Sequence, residues 1–409
     1  MYKVCIIRPG SIASNPRLVK EAEALSENGY KVHLIYTRHL DYLIERDEEL
    51  LLNHPEWTSD YIDWASTNFR SKAIKMTSGI IKRSANFILK HNLYSPQTAP
   101  FLINRFYKWQ LNKALLNKAD LYIAHYPDSI AIASRAAKIN NALFSYDAED
   151  YHRGEDVPRE LIKAITIIED SFLNEASYIS AASPLISKAY EELYPSKKII
   201  TIENMFPLKR QPTFIQLKGQ PYKFFWFSQT IGPKRGLEEF FLIVRHMKNC
   251  RIQLTLVGNY SDAYKYYLQN KWLEFGIEPR LLTILSTVEE KRLFDLASTH
   301  HFGLCLEIPY TLNRDLCLTN KIYTYMLSGN FLILSKTKAQ NSFYTTLPQT
   351  AISIDLQKPK EAAAQIETLM ENLTVLNEKR KQNHTLGQST INFDQEKKKL
   401  LEKIANLWK

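Results

Sequence analysis

The sequence predicts a parallel α/β protein made of two doubly wound domains in tandem. Three observations carry this. Short apolar runs alternate with helical patterns almost throughout. The 409 residues suffice for two domains, each burying its own core. One stretch, 206–221, breaks the rhythm with Pro207, Pro212, Gly219 and Pro221, and the alternation restarts beyond it.

The first domain, 1–205, opens with a strand over 3–8. A helix follows, with Asn15 as N-cap and Pro16 at its first position. Leu18, Val19, Ala22 and Leu25 form its apolar stripe, and Gly29 ends it. A strand over 31–37 precedes a basic helical insertion over 64–119. Strands over 120–125, 142–147, 178–181 and 198–202 then alternate with helices over 129–140, 159–176 and 184–193. After the linker 206–221, the second domain spans 222–385. Its strands fall at 223–227, 251–257, 281–285, 302–306, 331–334 and 351–354. Helices lie between them at 236–247, 262–275, 288–298, 320–327 and 339–346. A polar helical tail over 360–409 ends in a helix, 386–409, that returns to the first domain. Two such domains imply a cleft between them, the usual place for a ligand.

Composition narrows the function. At 45% apolar and 23% charged residues, with 12 Gly and 17 Pro, the chain is neither collagen, disordered tract nor coiled-coil rod. Cys5, Cys250, Cys305 and Cys317 stand far apart without a Cys-x-x-Cys pair. That excludes a disulfide framework or zinc ribbon and fits a reducing compartment. No apolar run approaches the roughly 20 residues of a membrane span. The first residues read as a strand, not a signal peptide. The expectation is a cytoplasmic protein.

The net charge of +10 has an address. Residues 64–119 hold ten Lys and Arg and no Asp or Glu, while the rest of the chain balances at 43 against 43. Trp64, Phe69, Ile80, Phe87, Phe101 and Trp109 are interleaved. Cations mixed with aromatics at near-helical spacing suit an anionic membrane surface. Three or four such cations at the lipid supply about 3–4 kcal/mol, enough for reversible attachment. No nucleic-acid motif accompanies the charge, so nucleic acid is not an expected partner.

Two segments carry the chemistry. Residues 227–238 (Phe-Ser-Gln-Thr-Ile-Gly-Pro-Lys-Arg-Gly-Leu-Glu) join a strand to a helix. Backbone N–H groups and a helix N-terminus, with Lys234 and Arg235 beside them, suit phosphate oxygens. Residues 313–329 place Thr319 and Asn320 at a second helix start and Lys321 in its first turn. A cation there is unfavourable by about 0.3–1 kcal/mol unless an anion docks on it. Dinucleotide, P-loop, zinc-protease and Gly-x-Ser-x-Gly motifs are missing.

Together these segments resemble the retaining glycosyltransferases of family 4, of the two-Rossmann GT-B architecture, in a bacterial branch. Ser14-Asn15-Pro16-Arg17-Leu18-Val19-Lys20-Glu21-Ala22 is similar to that branch's Ser-Asp-Pro-Arg-Val-x-x-Glu-Ala. Residues 119–127 resemble the strand ending in a cleft histidine, here His125. Residues 146–150 resemble the stretch Asp-Ala-His-Glu, and 202–207 match the Asn before the family's linker. Residues 320–329 are similar to Asn-Lys-x-Phe-Glu-Tyr-x-x-x-Gly.

The resemblance implies transfer of a sugar from a UDP- or GDP-sugar to a glycan or lipid-linked acceptor, with retention, in bacterial surface polysaccharide synthesis. It implies no cofactor and no metal, and no Asp-x-Asp motif stands out. His125, Arg235 and Lys321 are the implied catalytic residues. Gly10, Ser11, Gln229, Gly232, Thr319, Asn320 and Thr324 are the implied donor-binding set, with Glu149 and Asp150 on the acceptor side. The pattern also departs from the family. Its phosphate-binding Arg is Gln229 here, and its Lys is matched by Arg235. Its paired glutamates fall on Leu316 and Thr324, leaving Glu307 or Asp315 to compensate. Its Gly-Gly loop is reduced to Gly10 and Ser11. The missing glutamates also support an alternative, an inactive adaptor with the same fold.

Overall fold

Apolar strands such as Lys3–Ile7 and Phe331–Leu334 are buried along their length and need cover on both faces, the requirement of a parallel sheet flanked by helices. The computed structural model describes residues 1–91, 93–248 and 251–408 and meets that requirement twice. Cys250 lies outside the described residues, as do the side chains of Leu89 and Lys90 in the basic insertion. The chain divides into two compact units: unit 1 is Met1–Glu203 with Lys397–Lys409, and unit 2 is Asn204–Glu396.

Unit 1 contains β1 (Lys3–Ile7), α1 (Pro16–Glu27), β2 (Lys31–Arg38), α2 (Ile44–Asn53), β3 (Thr58–Asp63), α3 (Phe69–Lys90), α4 (Ala99–Ile103), α5 (Tyr107–Leu116), β4 (Leu121–His125), α6 (Pro127–Asn140), β5 (Leu143–Ala148), α7 (Arg159–Phe172), β6 (Tyr178–Ala181), α8 (Pro184–Leu193) and β7 (Ile199–Thr201). Its seven strands lie in the order β3-β2-β1-β4-β5-β6-β7, all parallel. Ile6 pairs with Leu34 on one side and Ile123 on the other. The core gathers Val4, Ile6, Leu18, Ala22, Leu25, Leu34 and Ile123.

Unit 2 contains β8 (Tyr222–Thr230), α9 (Leu237–His246), β9 (Ile252–Asn259), α10 (Asp262–Glu274), β10 (Leu282–Leu285), α11 (Glu290–Ser298), β11 (Phe302–Cys305), α12 (Leu312–Leu316), α13 (Asn320–Ser328), β12 (Phe331–Leu334), α14 (Lys338–Thr346), β13 (Ala351–Ser353), α15 (Pro359–Met370) and α16 (Leu373–Ser389). Its six strands run β10-β9-β8-β11-β12-β13, again parallel. Phe224, Trp226, Leu237, Phe240, Leu254, Leu304 and Ile333 form its core. A last helix, α17 (Phe393–Ala405), places Leu400 and Ile404 in the core of unit 1, and Trp408 stacks on Tyr2 at 4.0 Å.

Several stretches differ from the sequence reading, which did not place α2 or α12. β3 was not expected, because Thr-Ser-Asp-Tyr-Ile-Asp has no apolar run. It is an edge strand, half-exposed along its length, so one wet side removes the need for one. β8 runs on to Thr230 through a bulge between Phe227 and Thr230, so Gln229 stands on a strand rather than in a loop. The stretch 206–221 is stapled to α16 within unit 2. Asn377 Nδ2 donates to Leu217 O at 2.9 Å, Arg380 Nη1 to Ile215 O at 3.1 Å and Gln211 Nε2 to His384 O at 2.8 Å. These bonds satisfy an extended backbone that has few other partners.

Tight packing of α13 on β11 sets the position of the unit 2 site. A Cβ added to Gly303 would fall 2.2 Å from Tyr325 Cγ. Tyr325 is fully buried, and its hydroxyl donates to Phe225 O at 3.1 Å. Gly303→Ala is therefore expected to lower stability by about 1–3 kcal/mol or more through overpacking. The urea midpoint reads this, and an unchanged midpoint would contradict the contact.

Candidate active site

A doubly wound sheet offers its carboxyl edge to ligands where neighbouring loops diverge. In unit 1 that point lies between β1 and β4; in unit 2 it lies between β8 and β11. The expected site residues distribute over these two places.

In unit 1, Asn15 caps α1 by accepting from the N–H groups of Arg17 and Leu18. Arg17 and Glu21, four residues apart on that helix, face the same way. Arg17 grips Asp147 with two bonds of 2.6 Å and also donates to Ile202 O. Glu21 Oε2 lies 2.6 Å from His125 Nε2. On the other side of the ring, His125 Nδ1 lies 2.9 Å from Glu149 Oε1, and Asn15 Nδ2 donates to the same oxygen. Ser180 Oγ donates to Asp147 at 2.6 Å. Two cations and three carboxylates thus form one network.

His125 is 0% exposed, and both its ring nitrogens are spent on carboxylates. The residue implied to be catalytic is thus enclosed by its own carboxylate partners. Its direct partners are Glu21 and Glu149. Burial alone would push the imidazole down; bonds to Glu149 and Glu21 outweigh it and lift His125 to about 10. Burial pushes the Glu149 and Asp147 carboxyls up, but His125 and Arg17 respectively outweigh it and hold them below their ordinary range. His125, Asp147 and Glu149 present donor atoms within 4.8 Å of one another. An imidazolium and a bidentate guanidinium already occupy them, so the set does not suit a divalent cation.

The proton on His125 is held more tightly folded than unfolded, where the value is 6.5. Its stabilisation is full below pH 6.5 and drains away as pH rises toward 10. His152, lifted to about 9 by Glu155 against burial, adds to the same slope. Urea unfolding between pH 6.5 and 8.5 is expected to show falling stability, with a flatter profile in His125→Gln; equal slopes would remove the assignment.

Gly10 and Ser11 follow β1. A Cβ on Gly10 would lie 2.9 Å from His39 Cε1, and Ser11 N donates to His39 Nδ1 at 3.2 Å. Asp150 is half-buried beside Glu149. Arg8, at the end of β1, is a further member that the sequence reading did not single out.

In unit 2, Lys321 is 6% exposed at the start of α13. Its Nζ lies 2.6 Å from Glu307 Oε1 and over the Trp226 ring at 5.5 Å. Arg314 Nη1 lies 3.4 Å from Glu307 Oε2. Burial raises the Glu307 carboxyl, but Lys321, Arg314 and Arg235 together bring it below its usual range. The same buried carboxylate therefore feels both Arg235 and Lys321, which the sequence reading placed on one phosphate site. Glu307 stands two residues beyond the end of β11. Arg235 precedes Gly236, whose φ of +75° and approach to Leu306 O (2.9 Å from an added Cβ) dock the loop on that strand end. Asp315 is turned elsewhere, toward Lys338 at 3.1 Å.

The remaining donor-site expectations separate. Thr319 caps α13 without a side-chain bond, and its buried Oγ1 has no partner. Asn320 is half-buried beside it, and Gly232 and exposed Gln229 flank the β8 loop. Thr324 is different. It is 0% exposed, and its hydroxyl donates to Asn320 O at 3.2 Å. A side chain so enclosed does not present itself to a ribose. The helical spacing that matched the family's glutamate gave no sign of this, because a short Thr bonds its own helix where a Glu reaches out.

No protein-family model matches the chain, and no curated protein is similar to it in sequence. Solved structures are similar to it over their whole length. The sucrose-phosphate synthase of Thermosynechococcus elongatus matches with a TM-score of 0.72 at 12% identity, covering 100% of this chain and 99% of that one. Anabaena HepE, in complex with UDP and glucose, matches at 0.69 and 12% identity, covering 99% and 100%. A glycosyltransferase of Rickettsia africae matches at 0.68 and 11% identity, covering 100% and 99%. With its two parallel-sheet units, the chain has the GT-B fold of the glycosyltransferases.

Proposed function

We propose that the protein transfers a sugar from a UDP- or GDP-sugar to a glycan or lipid-linked acceptor, with retention, in assembly of a bacterial surface polysaccharide. The observation that carries this is the unit 2 cluster: Arg235, Arg314 and Lys321 around the single carboxylate of Glu307. Three cations against one anion leave a surplus that a diphosphate neutralises. The buried, unpartnered Thr319 hydroxyl and the start of α13 add donors beside them. As the glycosidic bond breaks, negative charge grows on the leaving diphosphate, and fixed cations stabilise it without a metal. Among the described residues Arg235 has no ion pair, which leaves its fork for the phosphates; Lys321 is held in place by Glu307. In unit 1, Glu149 orients the acceptor hydroxyl, and His125 is its positioning residue.

Thermal shift with UDP and GDP, followed by product analysis with their sugars, tests the reading. A shift with one nucleotide and a transferred sugar are expected; no response to either nucleotide would end it. Burial of Thr324 favours one second reading, an adaptor of the same fold. Nucleotide binding without turnover across a broad acceptor panel identifies that case.

The basic segment supports membrane attachment. Phe69, Met76, Ile80 and Phe87 on α3 are 60–89% exposed. At about 100° per residue they share one helix face. Among the described residues no helix is long and apolar enough to cross a membrane, so attachment rests on that face and its cations. Binding to vesicles containing phosphatidylserine is expected to fade between about 0.05 and 0.5 M salt as the Debye length shortens. Salt-insensitive binding, or none, would remove this partner.

A further inference from the structure

Arg8 is the odd member among the buried arginines of unit 1. Arg17 is matched by Asp147 and Ile202 O, and Arg38 by Glu48. Arg8 is 6% exposed, yet among the described residues no carboxylate lies in ion-pair contact with it. Only Nη2 is used, donating to Ser14 Oγ at 2.9 Å; Nε and Nη1 have no partner. Unmade bonds on a buried cation are costly, so such a group points to something that completes it.

Its surroundings are fixed. Arg8 N donates to Ile35 O at 2.9 Å, and Arg8 O accepts from Gln110 Nε2 at 2.6 Å. The guanidinium lies 5.1 Å from the Tyr126 ring centre. Tyr126 itself holds φ +69° and ψ 152°, a region nearly confined to glycine. That strained residue follows β4, across the divergence point from Arg8, and immediately follows His125. On the other flank, the Cβ position of Gly10 lies 3.6 Å from Arg8 Nε, an ordinary contact distance. Three acids feel Arg8 through space without an ion pair to it: Glu149, bound by His125 and Asn15; Asp47, whose Oδ1 accepts from Ala13 N; and Asp128.

We propose that Arg8 receives an oxyanion carried by the acceptor, a carboxylate or a phosphate, so that the enzyme selects a charged acceptor. This rests on the transferase reading above, in which unit 2 takes the donor diphosphate. A planar donor edge suits either anion, and a neutral sugar leaves its N–H groups unmade.

The test uses the whole protein with four probes: galacturonate, galactose 1-phosphate, methyl galactoside and UDP. Galacturonate or galactose 1-phosphate is expected to raise the melting temperature of the wild type, and methyl galactoside is not. In Arg8→Gln the anionic shift is expected to disappear while the UDP shift stays. A response to galacturonate identifies a carboxylate acceptor, and one to galactose 1-phosphate alone identifies a phosphate-bearing one. Should Arg8→Gln fail to fold, Arg8→Lys keeps the charge without the fork, and at least a tenfold weaker anion affinity is expected. Anionic probes that leave the wild type unmoved while UDP shifts it would overturn the proposal and spare the transferase reading. Loss of the UDP shift in a folded Arg8 variant would overturn it too, by placing Arg8 on the donor.

Discussion

Arg235→Ala is expected to lower sugar transfer by about a hundredfold or more, the loss seen when one preorganised donor to a developing anion is removed. The fold should survive. Arg235 is half-buried, and Glu307 keeps Lys321 and Arg314 when the guanidinium is gone. Lys321→Ala would be a poorer test, because it strips a buried carboxylate of its closest partner and confounds stability with chemistry. Donor KM and kcat separate the contributions: an effect on kcat marks an interaction made mainly as the bond breaks, and one on KM alone marks ground-state binding. Near-normal turnover in a folded Arg235→Ala would count heavily against the unit 2 site.

Local chemistry that the chain performs on itself was legible. Asn15 and Pro16 start α1, Gly29 follows its end with φ +82°, and the strands other than β3 run where the apolar runs lie. Arg235 and Lys321, expected on one phosphate site, follow different strands of unit 2, and the Glu307 carboxylate feels the charge of both. What stayed hidden depends on distance along the chain. Nothing at Arg17 announces Asp147, or at Glu21 announces His125, since those pairings form only when β1, β4 and β5 lie side by side. For that reason the sequence shows His125 only as the end of a cleft-side strand, without its carboxylate partners. Arg8 was passed over as the last residue of a strand, because an unmade bond is visible only once every neighbour is in place.

That hidden pairing carries the largest effect on stability. Arg17→Ala leaves Asp147, 2% exposed, as a carboxylate with only Ser180 and a more distant His125 ring to face it, and strips Ile202 O of a donor. Breaking one side of a buried pair costs about 3–5 kcal/mol. A domain's whole stability is about 5–15 kcal/mol, so unit 1 is left close to unfolding. Arg17→Lys is expected to recover only part, since one ammonium cannot grip both oxygens of Asp147 and also reach Ile202 O. Because Asp147 lies 3.5 Å from His125 Nδ1, freeing its carboxylate draws the ring away from Glu149, and acceptor-side function should fall with stability. Urea unfolding followed by far-ultraviolet circular dichroism reads the first effect, and an Arg17→Ala midpoint equal to the wild type would show that the network does not hold unit 1 together.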